Sequence, residues 1–453
     1  MKISFPKPAE DYFNQKADEL LLLLRPAPTG HEAAKGPEAP KRTLSSSHVP
    51  SVKITDKDFH RLGKSGTIDG FGNQTSKFFP TEKGPVGLDH PDYRESEKLV
   101  DRIVSRSATR SCLSTKFVLE TLFDWFEHRY KGSLVSSESF VGYLLARAEE
   151  EIKERKIAIP IAHLVIERPF TVGKVTFDFY TSDYFDHLEK VLLEKNPQAD
   201  PRMLRQIQEK YQGVVFATVA TSAEPTRATE IATDETERTL ALLRFFSPTI
   251  FYPQIASYFG RMGHAQVPVS HYFVFDDEIP RVTTQVASKG EFKFVVDATM
   301  LHMMEAGGLF ALGEILIKDN HSEFEELLLT SITLFAKSVT SNDFQDRLVF
   351  ALASMETMLL SNSSEPIQYS VGIRLAFVAS QTLPDRKSIL ELIRRAYAIR
   401  SSYIHHGKRT ENLELLTRLL RTFWSGFHAI ILNRDKFATQ AQFLDFVENM
   451  ILS

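Results

Sequence analysis

The chain has 453 residues, 43% of them hydrophobic and 25% charged, a composition that excludes a collagen-like, wholly disordered or disulfide-framework protein. At roughly 150 residues per domain, this length accommodates about three domains. The formal net charge is −4 and Cys112 is the one cysteine, so an intramolecular disulfide and a cysteine-rich zinc site are excluded, and any nucleic-acid site must come from a local basic patch.

A lone cysteine fits a reducing compartment. The longest aliphatic run, Leu20–Leu24, falls far short of the ~20 residues of a membrane span. It follows Asp18 and Glu19 rather than the basic stretch of an export signal. The expectation is a cytoplasmic protein with no membrane association.

Eight of the 21 glycines and ten of the 21 prolines fall within residues 1–95. Stretches such as Pro26–Pro40 and Gly63–Gly72 read as loop or linker. This segment is predicted to be a partly irregular Gly/Pro-rich arm with one short helix over Phe13–Leu24. From about Glu95, helical patterning begins. Lys98–Val104, Thr115–Arg129 and Glu138–Lys156 carry apolar residues at three- and four-residue spacing. The period then changes. Ile157–Glu167 and Val172–Tyr180 are rich in β-branched and aromatic residues, and Val175, Phe177 and Phe179 alternate with polar neighbours as a half-buried strand does. Further strands are predicted over Gly213–Thr221, Ser270–Asp276, Arg281–Val286 and Glu291–Val296. Helices over Phe185–Glu194, Pro201–Lys210 and Glu235–Phe246 interrupt them. Residues 96–300 thus form a mixed α/β middle domain.

Residues 301–453 form the third domain, and from about 320 the pattern is helical throughout. Six helices are predicted, the first over Ser322–Ser338 and the second over Asp343–Leu360, with Ser341, Asn342 or Asp343 as cap. The third runs from Pro366, a residue favoured in a first turn, to Ser380. The fourth begins after Pro384–Asp385 and stops at Gly407; the fifth covers Asn412–Asn433, and the last runs from Ala438 to the end. Short connections make neighbouring helices antiparallel partners in a bundle. The fold class is therefore α+β multidomain, with an irregular arm, a mixed middle domain and an all-α C-terminal bundle.

The sharpest local feature lies in the fourth of these helices. Ile389, Ile393, Ala396, Arg400 and Ile404 share one face, which puts a guanidinium in an apolar stripe. That is costly unless it meets a partner, a phosphate or a subunit interface. His405 and His406 follow one turn later, where Gly407 ends the helix. Between Arg386 and Arg409 seven basic residues face Glu391 alone, whereas residues 320–453 as a whole are charge-balanced. Phosphate binding favours such a bias.

Arg400-x4-His405, at the end of a long helix in a C-terminal bundle, resembles the Arg-x4–6-His motif of HEPN-domain ribonucleases. The wording Tyr-x-x-Arg-Ser-x-x-x-His, with Gly407 just beyond, is closest to the ApeA-like branch, and the Arg347–Leu360 stretch with Glu356 is similar to that branch's second helix. The resemblance covers about residues 320–453. Three other arginines stand at a similar distance before a histidine: Arg25 with His31, Arg42 with His48, and Arg421 with His428. The first two lie in the Gly/Pro-rich arm and the third reads as ordinary helix structure, so context singles out Arg400 and His405.

The resemblance implies a metal-independent RNA endonuclease. The RNA 2′-OH attacks the adjacent phosphate, leaving a 2′,3′-cyclic phosphate and a 5′-hydroxyl. His405 suits proton transfer because imidazole titrates near neutrality. Arg400, permanently cationic and able to bond two oxygens, suits the transition-state charge. His406, Tyr397 and Glu356 are supporting candidates. Arg394, Arg395, Lys408 and Arg409 are the candidate RNA contacts. One histidine cannot be acid and base at once, so a homodimer with a paired site is expected. The branch implies a toxin or anti-phage effector, with a phage or antitoxin partner and a regulatory role for the first two-thirds of the chain. A reading of another class is a non-catalytic HEPN-type dimerisation or RNA-binding module.

A competing constellation lies in the middle domain. Asp276-Asp277-Glu278 ends a predicted strand and Glu291-Phe292-Lys293 begins another, a pattern by which some restriction-type nucleases hold Mg²⁺ and place a lysine beside the phosphate. A turn and the polar face of a strand account for the same residues. His264, His271 and His302 lack metal-ligand spacing and no glycine-rich phosphate loop is present. No metal or cofactor is expected.

Overall fold

A computed structural model describes residues 3–27, 66–69, 71–134, 138–198, 200–252, 255, 257–264, 269–276, 281–288, 293–362, 364–409 and 411–453. Its contacts divide the chain into two units, Met1–Arg155 with Thr221–Glu230, and Lys156–Ala220 with Ile231–Ser453. The architecture is mixed α+β, with a C-terminal region that is helical.

In the first unit, α1 (Lys7–Leu21) buries Phe13, Ala17 and Leu20 at three- and four-residue spacing. It packs on α2 (Asp92–Val104) and, beyond α3 (Ser107–Arg110) and α4 (Thr115–Tyr130), on α5 (Phe140–Glu151). Strands β1 (Arg25–Pro26), β2 (Lys77–Phe79) and β3 (Val86–Leu88) form a small antiparallel sheet in the order β1-β3-β2. Gly87 permits that pairing, because a Cβ there would sit 2.0 Å from the Lys77 carbonyl oxygen. The described parts of residues 1–95 are therefore built into a packed unit. The apolar residues of β2 and β3, Phe78, Phe79, Val86 and Leu88, are too few and too closely flanked by glycine and proline to show a period, yet all four are buried.

The helix expected over Glu138–Lys156 ends at Glu151, and β4 (Lys153–Ala162) follows. Ile157, Ile159 and Ile161 on that strand pack into the core at a period of two. The second unit carries a five-stranded sheet in the order β6-β7-β8-β4-β9, where β6 is Phe170–Val172, β7 Val175–Phe179, β8 Val215–Ala223 and β9 Gly260–Arg261. Gly173, at φ 61°, turns the β6–β7 hairpin. Strands β5 (Leu164–Ile166) and β12 (Phe294–Val296) pair in parallel, while β10 (Val269–Asp276) and β11 (Arg281–Ser288) form a separate hairpin. Helices α6 (Ser182–Lys195) and α7 (Arg202–Tyr211) lie between β7 and β8. Helix α8 runs over Pro225–Phe245, ten residues longer at its start than the periodicity indicated. Its first N–H groups, those of Thr226 and Arg227, donate to the buried Glu224 carboxylate at 2.8 Å each, which satisfies a helix start from outside the apolar pattern.

Two short helices that apolar periodicity did not reveal, α9 (Ala298–Ala306) and α10 (Leu309–Ile317), flank Gly307–Gly308 at a 68° bend. Six helices follow: α11 (Glu323–Thr340), α12 (Phe344–Leu359), α13 (Ile367–Ala379), α14 (Leu383–His406), α15 (Leu413–Leu432) and α16 (Gln440–Leu452). Each lies within about two residues of its expected span. Five of the six starts are capped by side chains: Ser322 in a capping box with Glu325, then Asp343, Thr382, Asn412 and Thr439; α13 follows Pro366 without one. Among the described residues no single helix is long and apolar enough to cross a membrane.

Helix α8 joins this helical layer through Phe245. Its ring centroid lies 5.4 Å from that of Phe335 on α11 and 5.7 Å from that of Phe427 on α15, and the last two are 5.8 Å apart. All three are fully buried. Phe335→Ala empties the centre of this triangle and is expected to destabilise the protein by about 3–5 kcal/mol, measured by urea unfolding; a loss under ~1 kcal/mol contradicts this packing.

Candidate functional site

Helix α14 is set by its N-terminal two-thirds. Thr382 accepts the Asp385 N–H, and Ile389, Leu392, Ile393 and Ala396 are buried. Gly372 on α13 lets the two helices approach closely, since a Cβ there would stand 3.3 Å from Leu390 and 3.5 Å from Ile393. One turn beyond Ile393 and Ala396, the same face carries Tyr397 and Arg400.

Both side chains meet Glu356 in the last turn of α12. The Tyr397 hydroxyl donates to Glu356 Oε1 at 2.8 Å, and Arg400 Nη1 donates to the same oxygen at 2.6 Å. Side-chain exposure is 24% for Arg400 and 19% for Glu356. The guanidinium also lies over the Tyr397 ring, 5.8 Å from its centroid. Burial, reinforced by the adjacent Glu356 charge, raises the Tyr397 pKa far above its ordinary value, so its hydroxyl stays a proton donor to the carboxylate. Arg400 Nε is buried with no hydrogen-bond partner among the described residues.

His405 and His406 lie in the last turn of α14 and are exposed, their ring centroids 6.5 Å apart. Five residues past Arg400, His405 is about 140° round the helix and about 7.5 Å along it. Among the described residues Arg400 bonds Glu356 and lies over Tyr397, and His405 neighbours His406, with no contact between Arg400 and His405. Gly407, at φ 62°, ends the helix. Its N–H donates to the Tyr403 carbonyl at 2.9 Å and the Lys408 N–H to the Ser402 carbonyl at 3.3 Å, the wrap-around closure that a left-handed residue permits.

The basic excess is smaller in space than in sequence. Arg394 makes a bidentate pair with Glu391 at 2.8 and 2.7 Å. Arg400 is paired with Glu356, and Arg409 reaches Asp343 at 3.3 Å. Arg386 lies 3.7 Å above the Phe377 ring. Arg395 and Lys408 are exposed and make no ion pair among the described residues. Asp343, a cap candidate by sequence, takes this second role through a tertiary approach that spacing does not encode.

Arg421 lies over the Phe251 ring at 5.3 Å and His428 is stacked on Trp424 at 5.5 Å. In the competing constellation, Asp276 closes β10 opposite Arg281, whereas Asp277, Glu278 and Glu291 lie outside the described residues. Among the described residues no group of three or more His, Cys, Asp or Glu side chains is placed to hold a metal ion.

Comparison with protein families, with curated proteins and with solved structures finds no match for this chain. The site therefore rests on its own geometry. A cycle of Glu356→Gln, Arg400→Gln and the double variant, followed by urea unfolding, is expected to give a coupling of about 1–3 kcal/mol. Additive effects within ~0.5 kcal/mol contradict the pairing of these two side chains.

Proposed function

We propose that this protein is a metal-independent RNA endonuclease of the HEPN type, acting at the C-terminal end of α14. The observation that carries the reading is the setting of Arg400: a guanidinium held by a carboxylate and a phenol, close in sequence to exposed histidines and to unpaired basic residues. With one Nη1 N–H on Glu356 and Nε buried, three of its five N–H donors remain for a phosphate, and a fixed cation is what a phosphorane-like transition state requires.

In this reading the 2′-OH of a ribose attacks the neighbouring phosphate. His405 takes the hydroxyl proton or returns one to the departing 5′-oxygen, and Arg400 bonds the non-bridging oxygens as their charge grows. His405 cannot do both within one step. A second copy of the chain supplies the other histidine across a two-fold contact between α14 ends, since an isologous interface brings each residue near its symmetry mate. Arg395 and Lys408 bind the RNA backbone, joined by Arg394 and Arg409 when their carboxylate partners yield, and His406 assists. The chain then serves as a cytoplasmic toxin or defence effector, restrained or triggered through an antitoxin or a phage component.

One observation favours a second reading. The Glu356 carboxylate already offsets the Arg400 charge, which suits a helix-to-helix tie in a non-catalytic dimerisation or RNA-binding module. Activity separates the two. Arg400→Ala and His405→Ala are each expected to lower RNA cleavage by about 10²–10⁴-fold with the circular dichroism spectrum unchanged, and His406→Ala by less. Full cleavage by both folded variants contradicts the nuclease reading.

A further inference from the structure

Strands β7 and β8 are antiparallel neighbours, with Phe179 paired to Val215, and a two-residue turn is enough to join such a pair. The chain instead runs through α6 and α7 before it returns. An excursion of this length is not needed to build the sheet, and long connections of this kind commonly carry function. Its base is fixed. The Tyr180 and Tyr184 rings stack at 4.4 Å and 16°, and Tyr180 lies 4.8 Å from Phe216 of β8.

Beyond that base the two helices are incompletely covered. Tyr184, Leu188, Val191 and Leu192 fall within an arc of about 100° on α6, and Leu204, Ile207 and Tyr211 within about 60° on α7. A helix with such a stripe normally buries it. Here α6 buries Phe185 alone, α7 buries none of its described residues, and each helix is the other's main packing partner. Tyr184, Leu192 and Ile207 are left 36–38% exposed. One hairpin cannot close both stripes.

Charge selects what covers them. Helix α6 carries Asp183, Asp186, Glu189 and Glu194 against Lys190 and Lys195, whereas α7 carries Arg202, Arg205 and Lys210 against Glu209. Within one hairpin these opposite signs already meet, because Arg205 makes a bidentate pair with Glu189 at 2.6 and 3.1 Å. Arg202 is bonded to Asp200 just ahead of its helix. The Glu189–Arg205 pair marks the flank on which the two helices face each other. Asp183 and Glu194 lie on the opposite flank of the α6 stripe, and Lys210 on the opposite flank of the α7 stripe. All three are exposed and make no ion pair among the described residues. A surface with one net acidic and one net basic helix is complementary to itself after a two-fold rotation, which fits a second copy of the chain.

We propose that the α6–α7 hairpin is a self-association surface, on which two copies pack face to face as a four-helix bundle. Each α6 lies on α7 of the other copy, and the two-fold axis runs along the helices. Asp183, at the start of α6, then stands level with Lys210 of the second copy, at the end of α7. The other face-to-face rotation lays α6 on α6 and α7 on α7, like net charge on like. Tyr184, Leu192 and Ile207 take the inward positions of the bundle. This contact uses no residue of the α14 site and does not rest on the nuclease reading.

Sedimentation equilibrium of the full chain over ~1–100 μM tests the surface. The wild type is expected to pass from monomer to dimer across this range, because helices this short give a small interface. Leu192→Glu combined with Ile207→Glu, both at exposed positions, is expected to weaken association at least ~10-fold with the circular dichroism spectrum unchanged. Asp183→Lys and Lys210→Asp are each expected to weaken it by about 3-fold, and the two together to restore it. Ile404→Glu, which disrupts a contact between α14 ends, is expected to dimerise through the hairpin as before. The proposal is overturned by a monomer at every concentration, or by a dimer indifferent to Leu192→Glu with Ile207→Glu. It is equally overturned by no recovery in the charge swap or by loss of the dimer in Ile404→Glu.

Discussion

A single carboxylate oxygen, Oε1 of Glu356, accepts hydrogen bonds from two side chains of another helix, at 2.8 Å from Tyr397 and 2.6 Å from Arg400. A largely buried carboxylate is tolerated only when its charge and lone pairs are answered, and here one cation and one phenol do so. The consequence reaches beyond the pair. Arg400 occupies a position where the apolar stripe of α14 would otherwise bury carbon, and Glu356 lets the stripe end without a void or an unpaired charge. It also removes freedom from the guanidinium, which preserves the orientation that anion recognition requires.

A second tie brackets the helix end. Asp343 caps α12 and accepts Arg409, while Glu356 near the other end of α12 holds Arg400. The two acidic residues are about 20 Å apart along α12, and the chain order of their partners is reversed, so α14 and the segment after Gly407 run antiparallel to α12. His405 and His406 lie between these two anchor points, on the exposed side. The geometry that leaves them in solvent is thus a product of packing on both flanks rather than of a loose terminus.

The C-terminal helices were legible because their start signals are local. Ser322 with Glu325, Asp343 and Asn412 satisfy backbone groups within three residues, and Gly407 at φ 62° stops α14 where its lack of a Cβ permits. Where the deciding contacts are distant, sequence patterning misled. Lys153–Lys156 is charged on every residue and extends a helical pattern, yet it enters β4 because the isoleucines that follow alternate into the sheet. The start of α8 at Pro225 depends on Glu224, which also accepts the Ser114 N–H from 110 positions away. Within the site, the position of Arg400 on an apolar face indicated that it needs a partner, and Glu356 and Tyr397 entered through resemblance. The Arg409 tie to Asp343 carried no signal, because it follows no helix or strand period.

Partial neutralisation of the basic segment has a physical implication for RNA. Arg394, Arg400 and Arg409 each already have a carboxylate, so the net field at the α14 end is modest, and attraction of a polyanion falls with salt accordingly. In the proposed reading, catalysis at that end comes from placement rather than from a strong field. The end groups of the RNA products test this most directly. With single-stranded RNA, excess EDTA and the full-length chain, mass analysis is expected to find 2′,3′-cyclic phosphate and 5′-hydroxyl ends. RNA left intact, or cut to 3′-hydroxyl and 5′-phosphate ends only when Mg²⁺ is restored, would contradict the account.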